Sequence, residues 1–333
     1  MAASQPRLMP MAKSLPSNED LHERANDILP PINAIQQIGG TQTMAEHHLG
    51  FADVENQRAA NSMTRYPIGF LFKAFVVAIV AQLVHEEQLQ WHELITTYLP
   101  ELSSMAGPMP ADQLTLIDLL SHQTGLARLD AMWLGANNEI NSPKHSTLAM
   151  CKQLPAFHRP RSEWLYNNWM YSLAGEIIGR VSNLSWGQAL ESRVLDQVGL
   201  SETSVIESKV PSGSTALPYA ILNDKTKWRI GNTAGGIRST VHNLLSRGNL
   251  LASTFNGEEQ PLHQLDTTLS GYNFINKSPQ STSCLVEPMP VIGSGYGRRL
   301  FFYHNCCLPG YNNCIMLLPA EPITAVVLAN SIL

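Results

Sequence analysis

The sequence predicts an α+β fold in which helices flank an antiparallel β-sheet and a helical region is inserted into the sheet-forming part of the chain. A short strand-like stretch comes first, helical patterns follow, and strand-like segments occur again after residue 201. These late segments are short and closely spaced, with tight turns between them, which is typical of antiparallel pairing. With 333 residues, the chain is long enough for one large domain or two ordinary ones.

The composition is that of a globular protein and argues against several classes of partner. Hydrophobic residues make up 44% of the chain and charged residues 15%, which is enough apolar material for a large core. A net charge of −5, without any run of Lys or Arg, argues against a nucleic-acid surface. The apolar stretch from Tyr66 to Val84 is interrupted by Lys73 and falls short of the roughly 20 residues that a membrane span needs. We therefore expect neither nucleic-acid nor membrane binding.

The N-terminal part is expected to carry little regular structure. Residues 1–18 are predicted to form a loose tail and residues 19–29 a short helix. The apolar core of a signal peptide is missing from this part of the sequence, so we expect a cytoplasmic location. The five cysteines are odd in number and form no Cys-x-x-Cys motif, which favours small buried residues over a disulfide framework.

The first regular elements are a short strand and a long helix. The segment HLGFADVEN predicts a strand and a turn. Pro67 and Gly69 then lead into a helix of about 15 to 18 residues, because apolar side chains recur there at a spacing close to 3.6. The apolar face of this helix consists of Leu71, Phe75, Ile79 and Leu83.

Three further helices are predicted from their caps and stops. Thr115 is a good N-cap with Asp118 at the third helical position, and Gly125 and Gly199 are typical helix stops. The predicted helices are Leu114–Leu126, Tyr166–Ser182 and Ser185–Leu200. The predicted late strands are Arg298–His304, Tyr311–Pro319 and Ile323–Ser331.

These elements suggest a division into two domains after the tail. The first is a sheet-containing α/β domain formed by residues 19–100 together with 215–333. The second is a mostly helical domain formed by residues 101–214.

Lys73 is the residue in the first long helix that needs an explanation. A lysine in an apolar helix loses hydration, so its pKa falls and it can act as a base. A base needs a nucleophile within hydrogen-bond reach, and the residue one turn earlier lies on the same helix face. That residue is Phe70, which has no proton to give.

Several motifs along the chain resemble one family in their order. They are YPIGFLFKAF (66–75), LLSHQTGL (119–126), Tyr166-Asn167-Asn168, TAGGIRST (233–240) and YHNCCLPGYNNCIMLLP (303–319). Together, over roughly residues 50–331, they resemble the serine β-lactamase and penicillin-binding-protein superfamily. The nearest branch is that of the class C β-lactamase-like esterases and transesterases. The resemblance implies a β-lactamase-like fold.

The resemblance also implies roles for single residues. In the family, the serine of a Ser-x-x-Lys motif becomes acylated, and the lysine and the tyrosine of a Tyr-x-Asn motif handle its proton. Carried over, Lys73 and Tyr166 match the proton-handling pair, Asn168 matches the polar partner, and His304 matches the first position of a His-x-Gly strand motif. The family chemistry needs no cofactor and no metal, so we expect neither.

The chain departs from the family pattern at the nucleophile and at the strand motif. Phe70 stands where the serine is expected, and Cys306 stands where the glycine of the strand motif is expected. We expect Phe70, Asn168, Cys306 and Cys307 to line the substrate site. The fold is expected to be shortened at both ends, which would leave the C-terminal sheet open to a partner protein.

Three functional hypotheses remain open from the sequence. In the first, the scaffold binds a small molecule with an ester, lactone or amide carbonyl, acts non-covalently through Lys73, Tyr166 and His304, and serves secondary-metabolite biosynthesis. In the second, it is a non-catalytic pseudoenzyme that serves as an interaction protein. In the third, it is a hydrolase or acyltransferase that uses another nucleophile, for which Cys306 and Cys307 are the candidates.

Overall fold

The computed structural model describes part of the chain. The described residues are 46–132, 143–222, 226–229, 236–255, 257–274, 282–283, 289–292, 300–318 and 323–332. The predicted tail over residues 1–18 and the predicted helix over 19–29 lie outside them, as do residues 233–235 of the TAGGIRST motif and residues 298–299 of a predicted strand.

The helices of the described part lie mostly between residues 72 and 198. They are α1 (Phe72–His85), α2 (Ile95–Tyr98), α3 (Glu101–Ser104), α4 (Leu116–Leu120), α5 (Thr147–Gln153), α6 (Asn168–Ser182), α7 (Trp186–Leu190), α8 (Asp196–Val198), α9 (Val241–Phe255) and α10 (Leu265–Leu269). A short π-helical segment, Glu191–Leu195, joins α7 to α8.

Most of the strands come after residue 218. They are β1 (Phe51–Asp53), β2 (Arg58–Ala59), β3 (Tyr66–Pro67), β4 (Tyr219–Leu222), β5 (Thr226–Arg229), β6 (Arg238–Ser239), β7 (Asn273–Phe274), β8 (Thr282–Ser283), β9 (Met289–Ile292), β10 (Leu300–Leu308), β11 (Tyr311–Leu318), β12 (Ile323–Ala329) and β13 (Ser331–Ile332). The largest described sheet is antiparallel, in the order β12-β11-β10-β9. The predicted combination of helices with an antiparallel sheet is therefore confirmed.

Helix α1 forms part of the centre of the core. Its sequence, FKAFVVAIVAQLVH, is apolar on nearly every face, and almost all of its side chains are buried. A 3-10 turn at Gly69–Leu71 precedes it, so the regular helix begins at Phe72. Each buried Val, Ile, Leu or Phe contributes about 1.5–3 kcal/mol relative to an exposed one. The buried lysine at the second position of this helix is thus held by strongly favourable packing around it.

Local capping signals fix the starts of the other helices. Thr115 and Asp118 form the predicted capping box at the start of α4. This helix ends at Leu120, earlier than predicted, because the chain leaves helical geometry at His122, whose φ is 61°. The side chain of Asn167 caps α6 by accepting the N–H of Trp169, so Tyr166 lies just before the helix rather than in it.

The long antiparallel pair β10–β11 presents one buried face to the helices. Phe302, His304 and Cys306 are buried on that face of β10, and β11 alternates between buried and more exposed positions in register with it. The strand β10 runs on through both cysteines, so the turn contains only Pro309 and Gly310. Within the part of the chain that the structure describes, no helix is long and apolar enough to cross a membrane.

Candidate active site

The amine of Lys73 lies at the junction of helix and sheet. Lys73 is the second residue of α1, and the 3-10 turn that carries Phe70 packs directly against β10. The start of α6, with Asn168, closes the site from the helical side, 95 residues further along the chain. Helices α1 and α6, which are far apart in the sequence, therefore meet at this amine.

Four aromatic rings and one amide surround the Lys73 amine. The distance from Nζ to the ring centroid is 4.7 Å for Phe70, 4.9 Å for Phe72, 4.9 Å for Tyr166 and 4.8 Å for Tyr171. Nζ donates a hydrogen bond to the Asn168 Oδ1 at 2.5 Å, and the lysine side chain is 0% exposed. We call this arrangement the Lys73 cage.

Burial makes the Lys73 amine easier to deprotonate. Desolvation lowers the pKa of Lys73 from 10.5 to about 7, while the Coulombic effects of Cys306 and Asp130 act in the opposite direction. The faces of the four rings also favour the charged form, because their quadrupoles attract a cation. The amine can therefore exist in both protonation states near neutral pH.

Tyr166 forms part of the outer wall of the cage and keeps its proton. Its ring packs edge-to-face on Phe70, with centroids 6.2 Å apart. Burial raises the pKa of Tyr166 well above its usual value, and the Coulombic effects of Cys306 and Asp130 add to the rise. At neutral pH this phenol is a proton donor and not a base.

Cys306 fills the position next to the backbone of Phe70. The Phe70 N–H donates to the Cys306 Sγ at 2.9 Å, across 236 residues of chain. A side chain on Gly69 would clash with the same sulfur, so the glycine permits this close approach. In the family that the sequence resembles, the N–H of this position helps to bind the oxyanion. Here that donor is occupied by a thiol.

The other thiol that the sequence analysis singled out does not reach the cage. Cys307 is exposed and lies on the opposite face of β10 from Cys306, and its Sγ is 3.5 Å from the Asn312 Oδ1. For Cys306, burial raises the pKa of the thiol to about 11, although the N–H of Phe70 and the charge of Lys73 oppose this. The buried thiol is thus a poor nucleophile at neutral pH.

His304 lies on the buried face of β10, opposite Ile315 on β11. Its charge is one of the influences that hold down the pKa of His122, so the two histidines share one region of the site. The structure therefore places Lys73, Phe70, Tyr166, Asn168 and Cys306 together and puts His304 close by.

His122 belongs to the site but was not singled out from the sequence. It is fully buried, and its ring centroid is 4.5 Å from that of Tyr166. Burial, followed by the charge of Lys73, puts its pKa well below 6.5. Its Nδ1 accepts the N–H of Asn167, so the neutral ring carries its proton on Nε2. Its occurrence in LLSHQTGL, a motif tied to the family resemblance, was the available signal.

A polar chain leads from the amine to the surface. The Asn168 Nδ2 donates to the Asp130 Oδ1 at 3.0 Å, which orients the Asn168 Oδ1 towards Lys73. Asp130 in turn accepts from Arg128, whose guanidinium carbon lies 5.4 Å from the centroid of the Tyr166 ring. No sequence pattern marks these two residues, which lie at the end of a loop and at the start of the short 3-10 turn Asp130–Met132.

Other features of the described residues add no chemistry to the cage. A small apolar recess with a volume of about 20 Å³ lies on another face of α1, between Phe75 and Arg247, and does not include Lys73. Among the described residues, no group of three or more His, Cys, Asp or Glu side chains is arranged to hold a metal ion.

Comparisons with known proteins identify the family of this scaffold. The family model named Beta-lactamase matches residues 34–331. A protein from Aspergillus violaceofuscus named "Unguisins hydrolase ungD" is 25% identical over 51% of this chain and 30% of its own length. A "Beta-lactamase" from Providencia stuartii is 23% identical over 67% of this chain and 58% of its own length. A "Putative D-alanyl-D-alanine carboxypeptidase" from Salmonella gallinarum is 27% identical over 73% and 54%. The chain thus spans between 30% and 58% of the length of these relatives.

Solved structures share the fold. An octameric penicillin-binding protein homologue from Pyrococcus abyssi has a TM-score of 0.72 and 19% identity, over 85% of this chain and 65% of its own. A class C beta lactamase from Rhodobacter sphaeroides has a TM-score of 0.64 and 22% identity, over 85% of each chain. These likenesses support the β-lactamase-like architecture.

Proposed function

The chain belongs to the beta-lactamase family, and from this premise we propose that it binds a small carbonyl compound at the Lys73 cage without forming a serine acyl-enzyme. The ligand would be an ester, a lactone or an amide. Lys73, Tyr166 and His304 would act on it by holding and moving protons. The observation that carries this proposal is the phenyl ring of Phe70 one turn before Lys73, where an attacking hydroxyl would be needed.

Two further observations support the loss of acyl transfer. The Phe70 N–H is engaged by the Cys306 Sγ, so a carbonyl oxygen would have to displace the thiol to use this donor. The Lys73 amine donates to an amide oxygen and is enclosed by ring faces, and the residue one turn before it is a phenylalanine instead of a serine. The Phe70 N–H and the Lys73 amine, which would activate a carbonyl and its nucleophile, are thus both bonded to other groups of the protein.

The names of the relatives support the ligand class. The fungal relative is named as a hydrolase of unguisins, and the Salmonella relative as a carboxypeptidase. Both names describe hydrolytic enzymes. A role in secondary-metabolite biosynthesis is the setting that we propose for the carbonyl ligand of this chain.

A non-catalytic interaction protein is the second candidate function. A row of exposed apolar side chains on one face of the large sheet favours it, formed by Met316, Ile323 and Val327, the last of which is 62% exposed. A partner protein over the C-terminal sheet would cover this row. A hydrolase that uses Cys306 is less favoured, because burial raises the pKa of that thiol to about 11.

Phe70→Ser tests the proposed loss of acyl transfer. The wild-type protein should not react with a fluorophosphonate probe or with penicillin, because Phe70 stands where a serine hydroxyl would be needed to attack them. Phe70→Ser should be labelled at the new serine, because a general base contributes about 10²-fold or more to the rate. The matched control is Phe70→Ala, which opens the same space without adding a nucleophile and should remain unlabelled.

We expect the Cys306 thiol, which lies next to the Phe70 N–H, to limit the reactivity that Phe70→Ser gains towards the acylating probes. Phe70→Ser/Cys306→Gly should react faster than Phe70→Ser alone, because the glycine frees the backbone N–H for the oxyanion. Labelling of any serine in the wild-type protein would contradict the proposal. Ligand binding is measured separately, as a thermal shift with a panel of esters, lactones and amides. A panel that gives no shift would favour the interaction protein instead.

A further inference from the structure

The Lys73 amine has an unusually simple set of partners. Its one hydrogen bond goes to the neutral amide oxygen of Asn168, and within the described ranges no carboxylate forms an ion pair with it. The nearest carboxylate in the polar chain, that of Asp130, is bonded to the Asn168 amide nitrogen instead. The remaining surroundings of Nζ are ring faces. Among the residues that the structure describes, Asp130 and Cys306 thus favour the charged amine without an ion pair to it.

A neutral amine in this geometry keeps its lone pair. One N–H serves the Asn168 Oδ1, while the phenyl ring of Phe70 offers no acidic hydrogen for the lone pair to accept. Burial lowers the pKa of Lys73 to about 7, so the neutral form is well populated above neutral pH. A desolvated lysine with a free lone pair is the usual starting point for attack on an aldehyde or ketone.

We propose that Lys73 is a carbonyl-condensing lysine that captures small aromatic or apolar aldehydes as an imine. Nζ attacks the aldehyde carbon, the carbonyl π electrons move to oxygen, and one proton passes from nitrogen to that oxygen to give the neutral carbinolamine. Loss of a proton from nitrogen and departure of the hydroxyl as water then leave the C=N bond. The step needs no oxidant, reductant or metal, and the four ring faces select an apolar substituent on the aldehyde.

The cage supplies the proton that the departing hydroxyl needs. Tyr166 keeps its phenolic proton at neutral pH, because burial raises its pKa. Its ring lies 4.9 Å from Nζ, on the same side as Phe70. In the proposed step it gives its phenolic proton to the hydroxyl of the carbinolamine and takes up the proton that nitrogen loses, which restores the phenol, and an apolar enclosure slows the return of water to the imine.

Entry to the amine requires movement of the outer rings. Lys73 is 0% exposed, whereas Phe70 and Tyr166 are both partly exposed and lie against each other edge-to-face. In the proposed step, rotation of these two side chains opens Nζ to the aldehyde. The imine rests on the proposed function, because it needs the same binding of a carbonyl compound at the Lys73 cage. It goes beyond that function because it adds a reversible covalent bond between Nζ and the ligand.

Reductive trapping with benzaldehyde tests the proposal. The folded wild-type protein is treated with benzaldehyde and sodium cyanoborohydride, and the benzylated lysines are located by peptide mass mapping. Lys152 is the internal control, because it is also a buried lysine but its Nζ donates to the Met109 carbonyl oxygen at 2.9 Å. We expect Lys73 to be benzylated about tenfold faster than Lys152, since burial lowers the pKa of Lys73 to about 7 and leaves part of its amine neutral near pH 7, and to lose this advantage after denaturation.

Two variants sharpen the assignment. Lys73→Arg should abolish the fast labelling, because a guanidinium does not condense with aldehydes under these conditions. Phe70→Ala should accelerate it by opening the path to Nζ. Should either variant fail to fold, the wild-type map still decides.

The proposal is overturned if Lys73 in the folded wild-type protein is labelled no faster than Lys152, or only after denaturation. It is equally overturned if only Phe70→Ala is labelled at Lys73. These failures would leave the proposed function standing, since that depends on the absence of serine acylation and on the thermal shifts with esters, lactones and amides. Conversely, serine acylation of the wild-type protein would remove the proposed function without touching the mapping of Lys73.

Discussion

At the scale of single residues, the feature that most needs an explanation is Lys73, which is fully buried near the start of α1. Lys73 is retained in the core although Phe70 offers it no proton to take. Its burial is compensated by Asn168 and by the ring faces, which together provide one hydrogen bond and a favourable cation–π environment. Such a residue makes the protein less stable at low pH.

We predict that wild-type stability rises with pH above about 7. The folded state holds Lys73 with a pKa of about 7, whereas the unfolded chain binds the proton up to about 10.5. Between these values the unfolded state binds more protons, so the free energy of unfolding increases with pH, in total by up to the order of 5 kcal/mol. Below pH 7 both states are protonated, and the penalty for the buried charge is fully present.

Lys73→Met should lack this rise. Urea denaturation at several pH values between 6 and 10 would show the variant gaining most relative to wild type at the acid end. Its absolute stability also reflects the loss of the Asn168 hydrogen bond, which costs about 1–3 kcal/mol at every pH. Lys144→Met, at an exposed position, controls for the loss of one positive charge. If the free energy of unfolding of wild type and of Lys73→Met changed in parallel with pH, this would contradict a lowered pKa of Lys73 in the folded protein.

At the scale of elements, the site depends on how closely the turn before α1 approaches β10. Gly69 has a φ of 53°, which favours glycine, and a Cβ there would collide with the Cys306 Sγ and the Leu308 side chain. The approach is what lets the Phe70 N–H reach the thiol. The 3-10 turn can therefore pack closely on β10 because Gly69 has no side chain and leaves room for the Cys306 thiol.

A double-mutant cycle tests this contact. Gly69→Ala should destabilise the protein by about 1–3 kcal/mol, because it forces both an unfavourable backbone conformation and a clash. In a Cys306→Gly background the backbone cost persists but part of the clash disappears, so Gly69→Ala should cost less by about 0.5 kcal/mol or more. Gly213→Ala, also at positive φ but with open space around it, measures the backbone term alone. Strict additivity of Gly69→Ala and Cys306→Gly would show that the thiol does not pack on Gly69.

At the scale of the whole molecule, helices and sheet share one core. A single cluster of buried residues includes Leu119 from the helical region, Ile79 from α1, Leu251 from α9, and Phe302 and Ile315 from the sheet. The boundary between the two predicted domains therefore runs through this apolar cluster. The domains in question are residues 19–100 with 215–333, and residues 101–214. That division remains a prediction.

We predict one cooperative unfolding transition for the helical and sheet parts together, because separating them exposes a shared apolar surface. Hydrogen exchange under native conditions should give similar opening free energies for amides of α6 and of β11. Urea curves from far-UV circular dichroism and tryptophan fluorescence should coincide. A clearly separate, earlier transition of either region would favour two independent domains.

The predictable part of this protein rests on short-range patterns. The capping box at Thr115 was readable because its partner Asp118 lies three residues away, and the alternation along Tyr311–Leu318 marks a strand with one buried face. The end of α4 was misplaced, because the left-handed backbone of His122 has no strong residue signal. Local chemistry therefore predicted the elements better than their boundaries.

The sequence by itself determined the α+β architecture, the family motifs and the aromatic residue before Lys73, because each is a matter of residue type and spacing along the chain. Only the tertiary structure decided what surrounds the amine. Asn168 is 95 residues from Lys73, and Cys306 is 236 residues from Phe70, so neither contact has a local signature. The same burial that encloses the amine sets its protonation, and burial is a property of the assembled core that no single stretch of sequence contains.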